Sequence, residues 1–312
     1  MAPAPPAYVT ALASGRLADR VRTAYRALKH CTLCPRRCGV NRIEGELGVC
    51  RTAKNAVVAS HHAHFGEEAP LVGRSGSGTI FFSYCNLGCI FCQNDDISHA
   101  GAGQPVSSRK LAEMMLDLQQ AGCHNINLVT PSHVVPQILA ALELAAEHGL
   151  DIPLVYNTGG YDRPQTLQLL DGIVDIYMPD FKFWDPQVAE QAAGAGDYPD
   201  WARRAVIEMH RQVGDLVIDA KGLARRGLLL RHLVLPGGLA GTAPIMEFIA
   251  ARISPNTYVN IMPQYRPCAR AGEIAALAQP LDPQDYRQAV DTARRAGLTR
   301  LDRPRRTFVL QF

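Results

Sequence analysis

Tyr84-Cys85-Asn86-Leu87-Gly88-Cys89-Ile90-Phe91-Cys92-Gln93-Asn94 places three thiols within eight residues, directly after the β-branched and aromatic run at 79–83. The run reads as a strand, and the glycine-bearing stretch as the loop that leaves its carboxyl end. Three thiolates are one short of the four donors that close a tetrahedral zinc site or a cubane with protein ligands only. A [4Fe-4S] cluster on three cysteines keeps one iron open for a small-molecule ligand, and an electron entering the cluster can pass into that ligand's bonds. A fourth ligand such as His99 would instead give a closed zinc or ferredoxin-type site. Asp95 and Asp96 are poorer donors to iron at low potential.

Outward from this loop, short apolar runs alternate with longer helical patterns, the mark of repeated βα units on a parallel sheet. Strands are predicted at 79–83, 125–129, 152–156, 173–177, 228–235 and 257–261, with a weaker one at 307–311. Helices are predicted at 108–120, 133–148, 164–170, 198–214, 243–251 and 283–296, where apolar residues such as Leu111, Met114, Met115 and Leu118 fall on one stripe. About six such units are too few for a closed eight-unit barrel. The fold class expected is α/β, a partial (β/α)6 TIM-like barrel with chemistry at the carboxyl ends of its strands. Residues 8–30 read as an amphipathic helix leading into a small cysteine-rich extension, so residues 1–77 form an N-terminal metal-binding extension and 78–312 the barrel.

The 312 residues are 47% hydrophobic and 20% charged with a formal net charge of +3, and this balance makes no electrostatic case for nucleic acid. The run Arg303-Pro304-Arg305-Arg306 is too short to change that. No apolar stretch approaches the roughly 20 residues of a membrane span. The start of the chain lacks the pattern of a signal peptide. A cytoplasmic, reducing location follows, in which grouped cysteines bind metals or do redox chemistry.

The order and spacing of Cys85, Cys89 and Cys92, with aromatic Phe91 before the last, resemble the signature of the radical S-adenosylmethionine (SAM) superfamily. That resemblance implies a [4Fe-4S] cluster whose open iron takes the amino and carboxylate groups of SAM, and reductive cleavage to a 5′-deoxyadenosyl radical that abstracts hydrogen. It implies an external electron donor of flavodoxin or ferredoxin type. Four further stretches resemble the pyruvate formate-lyase activating-enzyme-like branch: His64-Phe65-Gly66-Glu67-Glu68, Asn157-Thr158-Gly159-Gly160-Tyr161, Asp175 through Lys182, and Arg231 through Gly238. Asn260-Ile261-Met262-Pro263-Gln264-Tyr265 extends the likeness to about Pro267. The branch implies an oxidoreductase acting on a glycine of a partner protein or peptide. It assigns Asn157, Thr158 and Gly159 to SAM, and turns Asp180 and Lys182 into the barrel mouth. One of Arg231 and His232 must face inward from their strand, and the alternation leaves open which. Where the activating enzymes carry a Gly-Gly-Glu-Pro stretch, this chain has Val129-Thr130-Pro131-Ser132-His133, so Thr130 or Ser132 would accept from the SAM ammonium and His133 touches substrate or caps a helix.

Cys31, Cys34, Cys38 and Cys50 form a second group of four thiols within twenty residues, enough to close a coordination shell around zinc or a [4Fe-4S] cluster. Zinc would staple the extension to the barrel, whereas iron-sulfur could relay electrons. His61, His62 and His64 make an incomplete metal set, because only His62 and His64 share a strand face. Cys123 and Cys268 read as packing residues, Trp184 and Trp201 as packing aromatics, and Glu67 and Glu68 as exposed loop acids. The competing class is a non-catalytic iron-sulfur or zinc protein serving electron transfer or scaffolding.

Overall fold

The structure, a computed structural model, describes residues 4–302. The strand expected at 307–311 and the basic run at 303–306 lie outside the described residues. Nine strands are present among those described: β1 (Ala56–His64), β2 (Ser77–Phe82), β3 (Gln104–Val106), β4 (Ile126–Val129), β5 (Leu154–Thr158), β6 (Ile176–Pro179), β7 (Val217–Ile218), β8 (Ala224–Leu233) and β9 (Tyr258–Met262). The helices are α1 (Ala7–Ala13), α2 (Arg16–Arg26), α3 (Ala69–Val72), α4 (Asp95–Ser98), α5 (Ser108–Gln120), α6 (Val135–Glu147), α7 (Pro164–Leu167), α8 (Pro186–Ala193), α9 (Tyr198–Val213), α10 (Thr242–Phe248) and α11 (Pro283–Arg295). None is long and apolar enough to cross a membrane among the described residues.

Six strands, β2, β4, β5, β6, β8 and β9, are parallel neighbours in that order, which is the expected partial barrel. Four strands begin later than predicted, β4 and β9 by one residue, β5 by two at Leu154 and β6 by three at Ile176. Ile173 and Val174 belong instead to a buried turn in which both amides donate to Leu170 O, so their apolar character marks burial and not extension. The expected N-terminal boundary at 77/78 falls inside the sheet. β1 runs antiparallel to β2 from Val58 opposite Phe82 to His64 opposite Ser77, and β3 flanks β1 on its other side. The helix expected over 8–30 breaks at Gly15, whose φ of 73° suits a residue without Cβ. Tyr8, fully buried, donates its hydroxyl to Ile152 O at 2.8 Å and so ties α1 to the barrel.

Alternation along the parallel strands sorts the interior into layers. Outward residues such as Leu128, Tyr156, Tyr177, Leu228 and Leu230 meet the helices in the main core. Inward residues at the amino end, Val155, Ile176, Met178 and Leu229, pack with Leu71 of α3 as an apolar floor. One step further along the same strands the inward residues turn polar: Asn127, Asn157, Asp180, Arg231 and Asn260. The cysteine loop lies above this polar layer.

Candidate functional site

The loop after β2 is shaped by two left-handed residues, Tyr84 (φ 65°) and Gly88 (φ 69°), each immediately before a cysteine. A non-glycine in that region is costly and marks a conformation fixed by its surroundings. Cys85, Cys89 and Cys92 line one cavity of about 290 Å³ with Phe91, Thr130, Asn157, Thr158, Gly159, Asp180, Lys182 and Arg231. All these were expected site residues, and the carboxyl ends of β2, β4, β5, β6 and β8 bring them together. Phe91 is held edge-on by Phe183 and Tyr265, with ring centroids 6.0 and 5.9 Å away. Burial pushes the Cys89 thiol up to about 12 against the opposing pull of Lys182, and burial raises Cys85 as well.

Two expected residues stand elsewhere. Ser132 is buried behind the wall, its hydroxyl 2.9 Å from Thr158 Oγ1, because the left-handed turn at Thr130 (φ 61°) carries the chain away from the cavity. His232 sits on the helix-facing side of β8, with Nδ1 2.8 Å from Phe181 O and Nε2 2.9 Å from Thr242 Oγ1, and burial lowers its pKa to about 4. Arg231 is therefore the inward residue of that pair. His133 is a buried structural residue, with Nε2 3.0 Å from Ser83 O. His99 engages Asp95 and Ser98.

The turn after β5 is fixed by Asp162, which accepts from Tyr156 at 2.9 Å and from Thr158 at 2.6 Å. The Tyr198 hydroxyl, at the start of α9, receives the Lys182 amide at 2.9 Å and faces Gly159 O at 3.0 Å and Asp180 O at 3.1 Å. A Cβ on Gly160 (φ 79°) would lie 2.3 Å from Asp180 O, whereas one on Gly159 would meet nothing closer than 3.5 Å. Gly160→Ala is expected to lower stability by more than about 2 kcal/mol through strain and clash, while Gly159→Ala leaves the thermal midpoint near wild type. Thermal unfolding of the two variants checks this.

Glu67 and Glu68, expected to be exposed, are the main correction. Glu68 is 5% exposed and the Glu67 side chain 10%. Both reach into the polar layer because β1 is paired to β2 and delivers the following loop beneath the cavity. Arg231 Nε donates to Asp180 at 2.7 Å, its Nη2 to Asn157 Oδ1 at 2.8 Å, and its Nη1 lies 3.5 Å from Glu67. Lys182 pairs with the other Asp180 oxygen at 2.6 Å, Asn127 donates to Glu67 at 3.1 Å, and Asn260 to Glu68 at 2.8 Å. Burial would raise the Asp180 carboxyl, but Arg231 and Lys182 prevail and hold it low. Glu67 goes the other way, since burial outweighs Arg231 and pushes it up to about 7 from an ordinary 4.5.

A stability slope follows from Glu67. As pH rises through 4.5 the unfolded chain releases this proton first, while the folded chain keeps it until about 7. Unfolding therefore becomes easier across that window. Glu67→Gln is expected to flatten the fall in urea midpoint between pH 4.5 and 7, and an unchanged slope would remove Glu67 as its source.

The second cysteine group surrounds a separate space of about 10 Å³, lined by Cys31, Cys34, Cys38 and Cys50 with Arg42, Gly48 and His133. Among the described residues no three His, Cys, Asp or Glu side chains stand gathered as a finished metal-holding set. Cys123 is buried in the core and Cys268 is half-buried, and neither lines these two cavities.

The model of the radical SAM superfamily matches residues 79–218. A protein of uncharacterised function from Methanocaldococcus jannaschii is 31% identical over 287 residues, which cover 89% of this chain and 78% of that relative. The crystal structure of a radical SAM methyltransferase from Sphaerobacter thermophilus aligns with a TM-score of 0.48 at 14% identity, over 72% of this chain and 67% of that one. The matched family segment takes in β2, the cysteine loop and the strand ends as far as Lys182, and the chain belongs to the radical SAM superfamily.

Proposed function

We propose that Cys85, Cys89 and Cys92 hold a [4Fe-4S] cluster, that the adjoining cavity receives SAM, and that the enzyme abstracts hydrogen from a carbon of its substrate. The superfamily implies both groups. The observation that carries their placement is the single cavity shared by the three cysteines, the Asn157–Gly159 turn and the cations Lys182 and Arg231. The residues fit the groups. Three thiol donors leave a coordination place free, and the cavity of about 290 Å³ beside them is where a small ligand would reach it. Bound together, cluster and SAM supply a one-electron reductive cleavage of the sulfonium to methionine and a 5′-deoxyadenosyl radical.

The chain's own residues do the rest. Lys182 and Arg231 set positive charge where thiolates and an amino-acid carboxylate gather, and Asp180 fixes both cations in place. Gly159 lets the main chain approach a ligand without a side chain between them. Thr130 offers acceptor oxygens to an ammonium, a task Ser132 cannot share from behind the wall. Phe91 keeps one wall apolar and excludes water. An external one-electron donor of flavodoxin or ferredoxin type completes the site. Resemblance to the activating-enzyme branch supports an oxidoreductase whose substrate is a glycine Cα in a partner protein or peptide.

The test is anaerobic incubation of iron-loaded protein with dithionite and SAM, followed by chromatography for 5′-deoxyadenosine. Product, together with a [4Fe-4S]⁺ resonance that shifts on adding SAM, is expected. Iron-loaded protein that leaves SAM intact overturns the enzyme reading. Deuterium from glycine-labelled partner polypeptide appearing in the 5′-deoxyadenosine would support the substrate class, and its absence with a competent partner would sink it.

A further inference from the structure

Cys31, Cys34, Cys38 and Cys50 come from two tight turns that face each other. In one, the Arg37 amide donates to Cys34 O, and in the other the Arg51 amide donates to Gly48 O. Arg37 (φ 45°) and Arg51 (φ 47°) are left-handed non-glycine residues, one directly before Cys38 and the other directly after Cys50. Such backbone persists where the surroundings over-determine it. Hydrogen-bond donors are aimed at the sulfurs: the Val49 amide lies 3.4 Å from Cys38 Sγ and Arg42 Nη1 3.8 Å from Cys31 Sγ. Gly48 passes so close that a Cβ there would sit 2.7 Å from Cys38 Sγ.

We propose that these four cysteines bind a single tetrahedral zinc ion as a structural clamp on the cluster loop. The space they line is tight, about 10 Å³, and four thiols facing one such space suit a single ion. A lone ion with Zn–S bonds of about 2.3 Å needs only that the thiols turn about their Cα–Cβ bonds. Thiolate donors that close a shell and leave no open position make a structural site. The clamp has a direct arm to the catalytic loop. Arg36, between Cys34 and Cys38, donates to Asn86 O and Leu87 O at 3.0 Å and to Ala193 O at 2.9 Å. Leu33 O accepts from Thr166 at 2.6 Å and Arg42 donates to His133 O at 2.7 Å, so the knuckle is bound to the barrel on several sides.

The inference stands apart from the SAM reading, and one preparation separates the two. Full-length protein and its Cys85→Ala, Cys89→Ala, Cys92→Ala triple variant would be produced in medium containing both metals, and their zinc, iron and labile sulfide measured. About one zinc per chain in both is expected, with no iron in the variant and four sulfur neighbours at about 2.3 Å at the zinc edge of the full-length protein. Iron with labile sulfide retained by the triple variant, or a full-length protein without zinc, overturns the proposal. Zinc in a full-length protein that takes up no iron would leave the clamp standing and defeat the SAM reading. Should the triple variant not fold, the absorption-edge measurement on the full-length protein decides alone.

Discussion

Cys89→Ala is expected to reduce 5′-deoxyadenosine formation to the level of an enzyme-free mixture. Two remaining thiols cannot hold a cubane with three of its irons anchored, and without the cluster no electron reaches SAM. Cys89 is 8% exposed in the wall of the cavity, so its loss opens the site without exposing a large apolar face. Cys268→Ala, a half-buried thiol on the stretch after Gln264, serves as the control and should keep full activity. Activity surviving in the Cys89 variant would mean that the cluster is held by other residues.

Arg231→Met is expected to destabilise the fold by about 3–5 kcal/mol, the usual result of removing one partner from a buried ionic network. The Arg231 guanidinium touches Asp180, Asn157 and Glu67, and its removal leaves Asp180, Glu67 and Glu68 under the cavity with Lys182 as the remaining cation of the network. Arg231→Lys keeps the charge but loses the planar fork, so an intermediate loss is expected. Urea unfolding at pH 7 reads both. A Met variant as stable as wild type would show that the network makes no net contribution to folding, and its SAM affinity would then report the positioning role alone.

The cysteine loop was legible because its information is local: spacing, strand and turn all lie within fifteen residues. The partial barrel was legible for a related reason, since each βα unit writes its own period into the chain. What escaped depends on distant pairings. Glu67 and Glu68 look like loop acids until β1 is seen to pair with β2, yet a hint was present in Asn127, Asn157, Asp180, Arg231 and Asn260, polar residues in, or directly after, strands buried on both sides. Such groups need partners, and the nearest unassigned acids were those two. The choice between Arg231 and His232 was not legible because both faces of a parallel strand are buried, which removes the apolar-polar contrast that reveals direction. Ser132 was misplaced because a left-handed threonine was not foreseeable at Thr130.

Tyr198 has a consequence that reaches past this chain's own chemistry. Its single hydroxyl gathers the main-chain atoms of Lys182, Asp180 and Gly159, three points on two neighbouring strand ends. The path of the mouth is thus pinned through peptide groups, and those groups stay the same whatever side chains project from them. Residues facing the reactants can be exchanged one at a time while the scaffold keeps its shape, so new substrates can be acquired without rebuilding the barrel.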